Sequence, residues 1–65
     1  GIKRMAQKVG EEGVEVALAA QAGDASELVS ESADLLFHLT LLLRASGLSL
    51  GTVAAELAAR HRAKP

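Results

Sequence analysis

Gln7–Asp34, QKVGEEGVEVALAAQAGDASELVSESAD, carries two runs of apolar residues at helical spacing on either side of Ala22-Gly23-Asp24. Glu11, Glu12 and Glu15 fall on the first run, and Glu31 and Asp34 on the second. A helix advances about 100° per residue, so Glu12 and Glu15, three apart, lie about one turn from each other on one face. Glu31 and Asp34 repeat that spacing. If the helices fold back on each other, the four carboxylates converge between them. Like charges so placed repel strongly unless a cation sits among them, and an all-oxygen donor set suits Mg²⁺ or Mn²⁺.

Working outward, the first helix is expected from near the start of the chain to about Ala22, with Gly23 as its stop. Ile2, Met5, Val9, Gly13, Val16 and Ala20 share a stripe about 80° wide, which predicts a core face. Lys8, Glu12, Glu15 and Ala19 line the adjoining face, and Val14 and Leu18 form a second apolar strip. Gly10 and Gly13 each cost a helix about 1 kcal/mol against Ala, which points to the close approach of another backbone or a ligand, or to simple tolerance.

Asp24 followed by Glu27 has capping-box spacing and opens a second helix that is expected to end near Gly47. From Leu28 to Leu43 this helix is apolar almost all round, as a helix buried on most sides would be. Its single polar stripe holds Glu27, Glu31, Asp34 and His38 within about 60° of one another, and such groups on a buried helix must be paired or metal-bound. Ser49 caps a third helix running to about Arg62, with Leu48 and Val53 at hydrophobic-staple positions. Val53 and Leu57 make this a packing helix with a basic end of Arg60, His61, Arg62 and Lys64, where cations complement the helix dipole or meet a phosphate.

Residues 1–65 read as a single all-α domain of three helices, too small to bury much of its own surface. The absence of Cys excludes disulfides and thiolate metal sites and fits a reducing cytoplasm, so a partner chain is the expected staple. A net charge of −1 gives no general reason to bind nucleic acid or an anionic membrane. The longest apolar stretch, Leu35–Leu43, is interrupted by His38 and Thr40 and is too short to span a bilayer.

Carboxylate-held Mg²⁺ typically serves a substrate bearing phosphates, and Lys3, Arg4 and Lys8 lie on or near the same helix to meet them. No Ser or Cys nucleophile stands with a base, and no phosphate-cradling Gly-rich loop is present, so hydrolysis of a phosphate ester or anhydride by metal-activated water is the simplest chemistry. A di-iron bundle would need Glu-x-x-His motifs from two helices, and there are none. His38, one turn after Asp34, is expected to hydrogen-bond a carboxylate and orient it, with direct ligation of the metal as the alternative. A non-enzymatic alternative is a helical dimerisation piece whose acidic stripe is neutralised by a partner's Arg or Lys.

Gln7-Lys8-Val9-Gly10-Glu11-Glu12-Gly13-Val14-Glu15 and Glu31-Ser32-Ala33-Asp34-Leu35-Leu36-Phe37-His38 resemble the phosphoribosyl-ATP pyrophosphohydrolase family of histidine biosynthesis, one of the MazG-like all-α nucleotide pyrophosphohydrolases. Glu11, Glu12, Glu15, Glu31 and Asp34 match the superfamily pattern E-E-x-x-E then E-x-x-D, and the resemblance extends through Gly47-Leu48-Ser49 and Arg60-His61. It implies a helical bundle completed by a homodimer, and release of pyrophosphate from phosphoribosyl-ATP to leave phosphoribosyl-AMP. Mg²⁺ would be held by Glu12, Glu15, Glu31 and Asp34, with Glu11 joining the metal set or positioning the water and Lys8 facing phosphate. It implies also a further helical stretch before Gly1, and in some bacteria fusion to the phosphoribosyl-AMP cyclohydrolase that acts next. A housekeeping nucleoside triphosphate pyrophosphohydrolase of the same superfamily is the alternative within the enzymes.

Overall fold

The computed structural model describes residues 1–63. The helices are α1 (Ile2–Ala22), α2 (Ala25–Ala45) and α3 (Leu50–Ala63). Lys64, expected at the basic end of α3, lies outside the described residues.

Local chemistry accounts for each boundary. Gly23 adopts φ 73°, the left-handed conformation that a side chain disfavours. Its N–H reaches the Ala20 carbonyl at 3.1 Å while that of Asp24 reaches Ala19 at 3.2 Å, a Schellman closure of α1. The Asp24 carboxylate then accepts from the Glu27 N–H at 2.9 Å and caps α2. The same closure recurs at Gly47 (φ 78°), where the Leu48 N–H meets the Leu43 carbonyl at 2.8 Å. Ser49 and Thr52 form a reciprocal box: the Thr52 N–H donates to Ser49 Oγ at 3.2 Å and the Ser49 N–H to Thr52 Oγ1 at 3.3 Å.

α1 and α2 pack as an antiparallel hairpin, the only extensive contact between elements among the described residues. The face α1 turns to α2 differs from the one its apolar stripe predicts. Glu12 and Ala19 are its buried residues, flanked by half-buried Met5, Lys8, Val9, Gly13 and Val16, whereas Ile2 and Ala20 are exposed. The contact face is therefore shifted by about 40° from the apolar stripe toward the acidic one, although Met5, Val9, Gly13 and Val16 remain in it. α2 supplies the opposing surface with half-buried Leu28, Glu31, Ser32, Leu35, His38, Leu39 and Leu42. Gly10 and Gly13 do not mark a close approach within the chain, because a Cβ at either would meet nothing within 4 Å.

α3 is also not a packing helix within this chain. It leaves α2 at a bend of 101°, and every residue from Leu50 to Arg62 is exposed. Its modest apolar content, with Leu57 61% exposed, gives it too little surface to fold back on the hairpin. The resulting radius of gyration is 13.8 Å, against about 11 Å for a compact chain of this length, and the thinnest dimension is 14 Å. Ala19 is the only buried apolar residue among those described, so the hairpin does not close a core of its own. Among the described residues, no single helix is long and apolar enough to cross a membrane.

Candidate metal centre

The polar stripe of α2 is split by its packing. Glu31 and His38 turn toward α1 and are half-buried, while Glu27 and Asp34, farther round the helix, are exposed. Across the hairpin, His38 Nδ1 lies 2.7 Å from Glu12 Oε1 and 3.1 Å from the Asp34 backbone carbonyl. Both partners are acceptors, so Nδ1 carries the proton that is shared between them. Glu12, 7% exposed, is the one buried charged residue described. The Phe37 ring meets the imidazole edge-on, with centroids 5.1 Å apart and planes at 77°.

Beside this pair stands a group of three carboxyls. Glu31 is flanked by Glu15 from α1 and Glu27 from its own helix. Hydrogen bonding of its acid form to Glu15 and to Glu27 pushes the Glu31 carboxyl up from 4.5 to about 7, with burial and the two neighbouring charges adding to the shift. Glu31 Oε2 is buried and meets no donor. A carboxylate offers no hydrogen to another, so only a proton or a cation can bridge the three.

The remaining predicted residues line the same side. Lys8 is half-buried one turn before Glu12, and Glu11 is exposed, accepting from Gln7 Nε2 at 3.2 Å. Glu12, Glu15 and Glu31 thus lie along the hairpin seam while the Asp34 side chain is exposed, and among the described residues no three His, Asp or Glu side chains are gathered in a metal-holding arrangement. Glu27, read from the sequence both as a capping-box residue and as part of the polar stripe with Glu31, is used in the second way. Only half of that box forms, because the Asp24 N–H already closes α1 on Ala19 and the Glu27 side chain is left to stand against Glu31. Its position one turn before Glu31 was the available signal. At the far end of the chain, Arg60 Nε pairs with Glu56 at 2.9 Å, so that arginine is already neutralised within α3.

A buried acceptor without a donor, in an all-carboxylate surrounding, fits a hard divalent cation. Helical hairpins with acids on both facing helices form the class to which this architecture points, and the comparisons narrow it. Residues 1–61 match the family described as PRA-PH, phosphoribosyl-ATP pyrophosphohydrolase. The chain belongs to this family, within the MazG-like all-α pyrophosphohydrolases. It is 64% identical over 61 residues to the histidine biosynthesis bifunctional protein HisIE of Photobacterium profundum, covering 94% of this chain and 30% of the relative. To the proteins of that name from Vibrio cholerae and Xanthomonas axonopodis pv. citri it is 61% and 63% identical over 62 residues, covering 95% of this chain and 30% of each relative. The chain therefore spans about three-tenths of the length of the curated relatives it matches.

Proposed function

We propose that this chain hydrolyses phosphoribosyl-ATP to phosphoribosyl-AMP and pyrophosphate in histidine biosynthesis. The observation that carries the reading is the acidic seam of a family member, with the unsatisfied Glu31 Oε2 between helices that both bear carboxylates. Glu12, Glu15, Glu31 and Asp34 are the residues that would hold Mg²⁺, with Mn²⁺ as a substitute. When bound, the ion supplies Lewis-acid polarisation of the phosphate oxygens and offsets their charge.

The chain's own residues do the rest. Lys8, one turn from Glu12 on the same side of α1, binds the ATP-derived phosphates as a point charge. Glu11 lies at the open edge of the seam, positions water and takes its proton. The water oxygen bonds to phosphorus, the bridging P–O bond breaks, and its electron pair leaves on pyrophosphate. Half-burial of Glu31 and burial of Glu12 hold the acidic groups in a weakly solvated seam, where their attraction for a cation exceeds that of exposed carboxylates.

The same reading includes a cytoplasmic homodimer. Val29, Leu36 and Phe37 are 71%, 55% and 60% exposed on α2, and Val14 and Leu18 are 60% and 58% exposed on α1. That is more apolar surface than a helical hairpin of this size leaves in water. In a bifunctional parent, the adjoining activity would be the phosphoribosyl-AMP cyclohydrolase, which consumes the product. Pyrophosphate release is to be measured with phosphoribosyl-ATP and, separately, with ATP and deoxynucleoside triphosphates, in Mg²⁺ and in chelator. Release from phosphoribosyl-ATP that chelator abolishes is expected. Release from the simple triphosphates alone would transfer the chain to the housekeeping hydrolases.

A further inference from the structure

We propose that His38 is a positioning residue for the metal-holding carboxylates, acting through Glu12; this rests on the metal-dependent reading above. The imidazole is fixed at three points. Nδ1–H is shared between Glu12 Oε1 at 2.7 Å and the Asp34 carbonyl at 3.1 Å, and the ring lies against Phe37. The Asp34 contact ties the ring to the turn of α2 that carries one proposed ligand. The Glu12 contact reaches across the hairpin to the turn of α1 that carries another.

The partner of His38, Glu12, is the one buried charged residue described, so this hydrogen bond across the hairpin acts on the most shielded carboxylate of the seam. A glutamate has three side-chain torsions, and a buried one without a fixed partner distributes over several rotamers. His38 engages one oxygen of Glu12 and selects a rotamer, leaving the other oxygen without a protein hydrogen bond among the described residues. The geometry is that of a donor that orients a ligating carboxylate, not of a ligand itself, because the nitrogen facing the seam bears the hydrogen.

The test is Mn²⁺ binding to the full chain, followed by the spin resonance of free Mn²⁺ and therefore independent of turnover. Three variants are compared. His38→Asn keeps an N–H close to the position of Nδ1, His38→Gln moves its donor out to the position of Nε2, and His38→Ala removes it. Folding is followed by circular dichroism. Loss of the Glu12 contact is expected to weaken Mn²⁺ binding by about 10–100-fold in His38→Ala and His38→Gln, with His38→Asn within a few-fold of the parent.

If His38→Ala does not fold, the Asn and Gln variants carry the comparison. Equal affinity in parent, Asn and Gln variants would overturn the positioning role while leaving the metal reading in place. An Asn variant as weak as Gln would likewise overturn it. Absence of stoichiometric Mn²⁺ binding by the parent itself would remove the metal reading, and the positioning role with it.

Discussion

His38 and Glu12, twenty-six residues apart, are joined by a 2.7 Å hydrogen bond that spans the hairpin where its side chains are most shielded from water. With the Glu15–Glu31 contact, it is one of two polar ties across the hairpin among the described residues, and the one that engages a buried carboxylate. In chelator, His38→Ala should destabilise the fold by about 1–3 kcal/mol, because it leaves the Glu12 carboxylate buried without its donor. Urea denaturation of the single variants His38→Ala and Glu12→Ala and of the double variant measures the coupling. The double variant should cost less than the sum of the two, and strict additivity would show that the contact contributes nothing.

The Glu15–Glu31–Glu27 group makes stability depend on pH in a direction opposite to that of a salt-bridged acid. Glu31 holds its proton to about pH 7 in the folded state, against 4.5 as its ordinary value. Between those values the native chain binds more protons than the unfolded one, so stability conferred by the protonated group is full below pH 4.5 and is lost as pH rises through 7. Thermal melts in chelator at pH 5 and pH 7.5 should show the higher Tm at pH 5. Glu31→Gln, which cannot ionise, should reduce that difference; an unchanged difference would mean that another group is responsible.

The same group predicts melting curves that exchange order with Mg²⁺. In chelator above pH 7, where Glu31 is ionised, Glu31→Gln removes a charge from beside Glu15 and Glu27 and should melt above the parent. In saturating Mg²⁺ the parent gains binding free energy that the variant does not match, and should melt above it. Asp34 is exposed and away from the crowded carboxyls, so Asp34→Asn should leave the chelator melt nearly unchanged and lose only the Mg²⁺-dependent gain. A parallel shift of Asp34→Asn in both conditions would make Asp34 a structural residue.

Assembly is readable by sedimentation. The chain should sediment at micromolar concentration near twice its 6.7 kDa mass. Val29 and Leu36, seven residues apart on the exposed side of α2, are placed to meet a second copy. Leu36→Asp should shift the species to a monomer with a lower Tm. A folded parent monomer at that concentration would exclude the dimer.

Within this chain, the sequence by itself determined the three helices and their ends. Gly23, Asp24, Gly47 and Ser49 act through backbone groups within a few residues of themselves, and such bonds form whatever lies farther off. The acidic motifs were legible for the same reason, since i, i+3 spacing is a property of one helix. Tertiary structure alone decided how those faces were used. Apolar periodicity assigned the core of α1 to the Met5–Val9–Val16 side, and those residues are half-buried, but burial is deepest at Glu12 and Ala19 on the adjoining face. Tertiary structure also turned Glu31 and His38 toward α1 while leaving Asp34 in water. Which of several adjacent faces is buried depends on the volume and reach of side chains on the opposing helix, and no spacing along one helix contains that information.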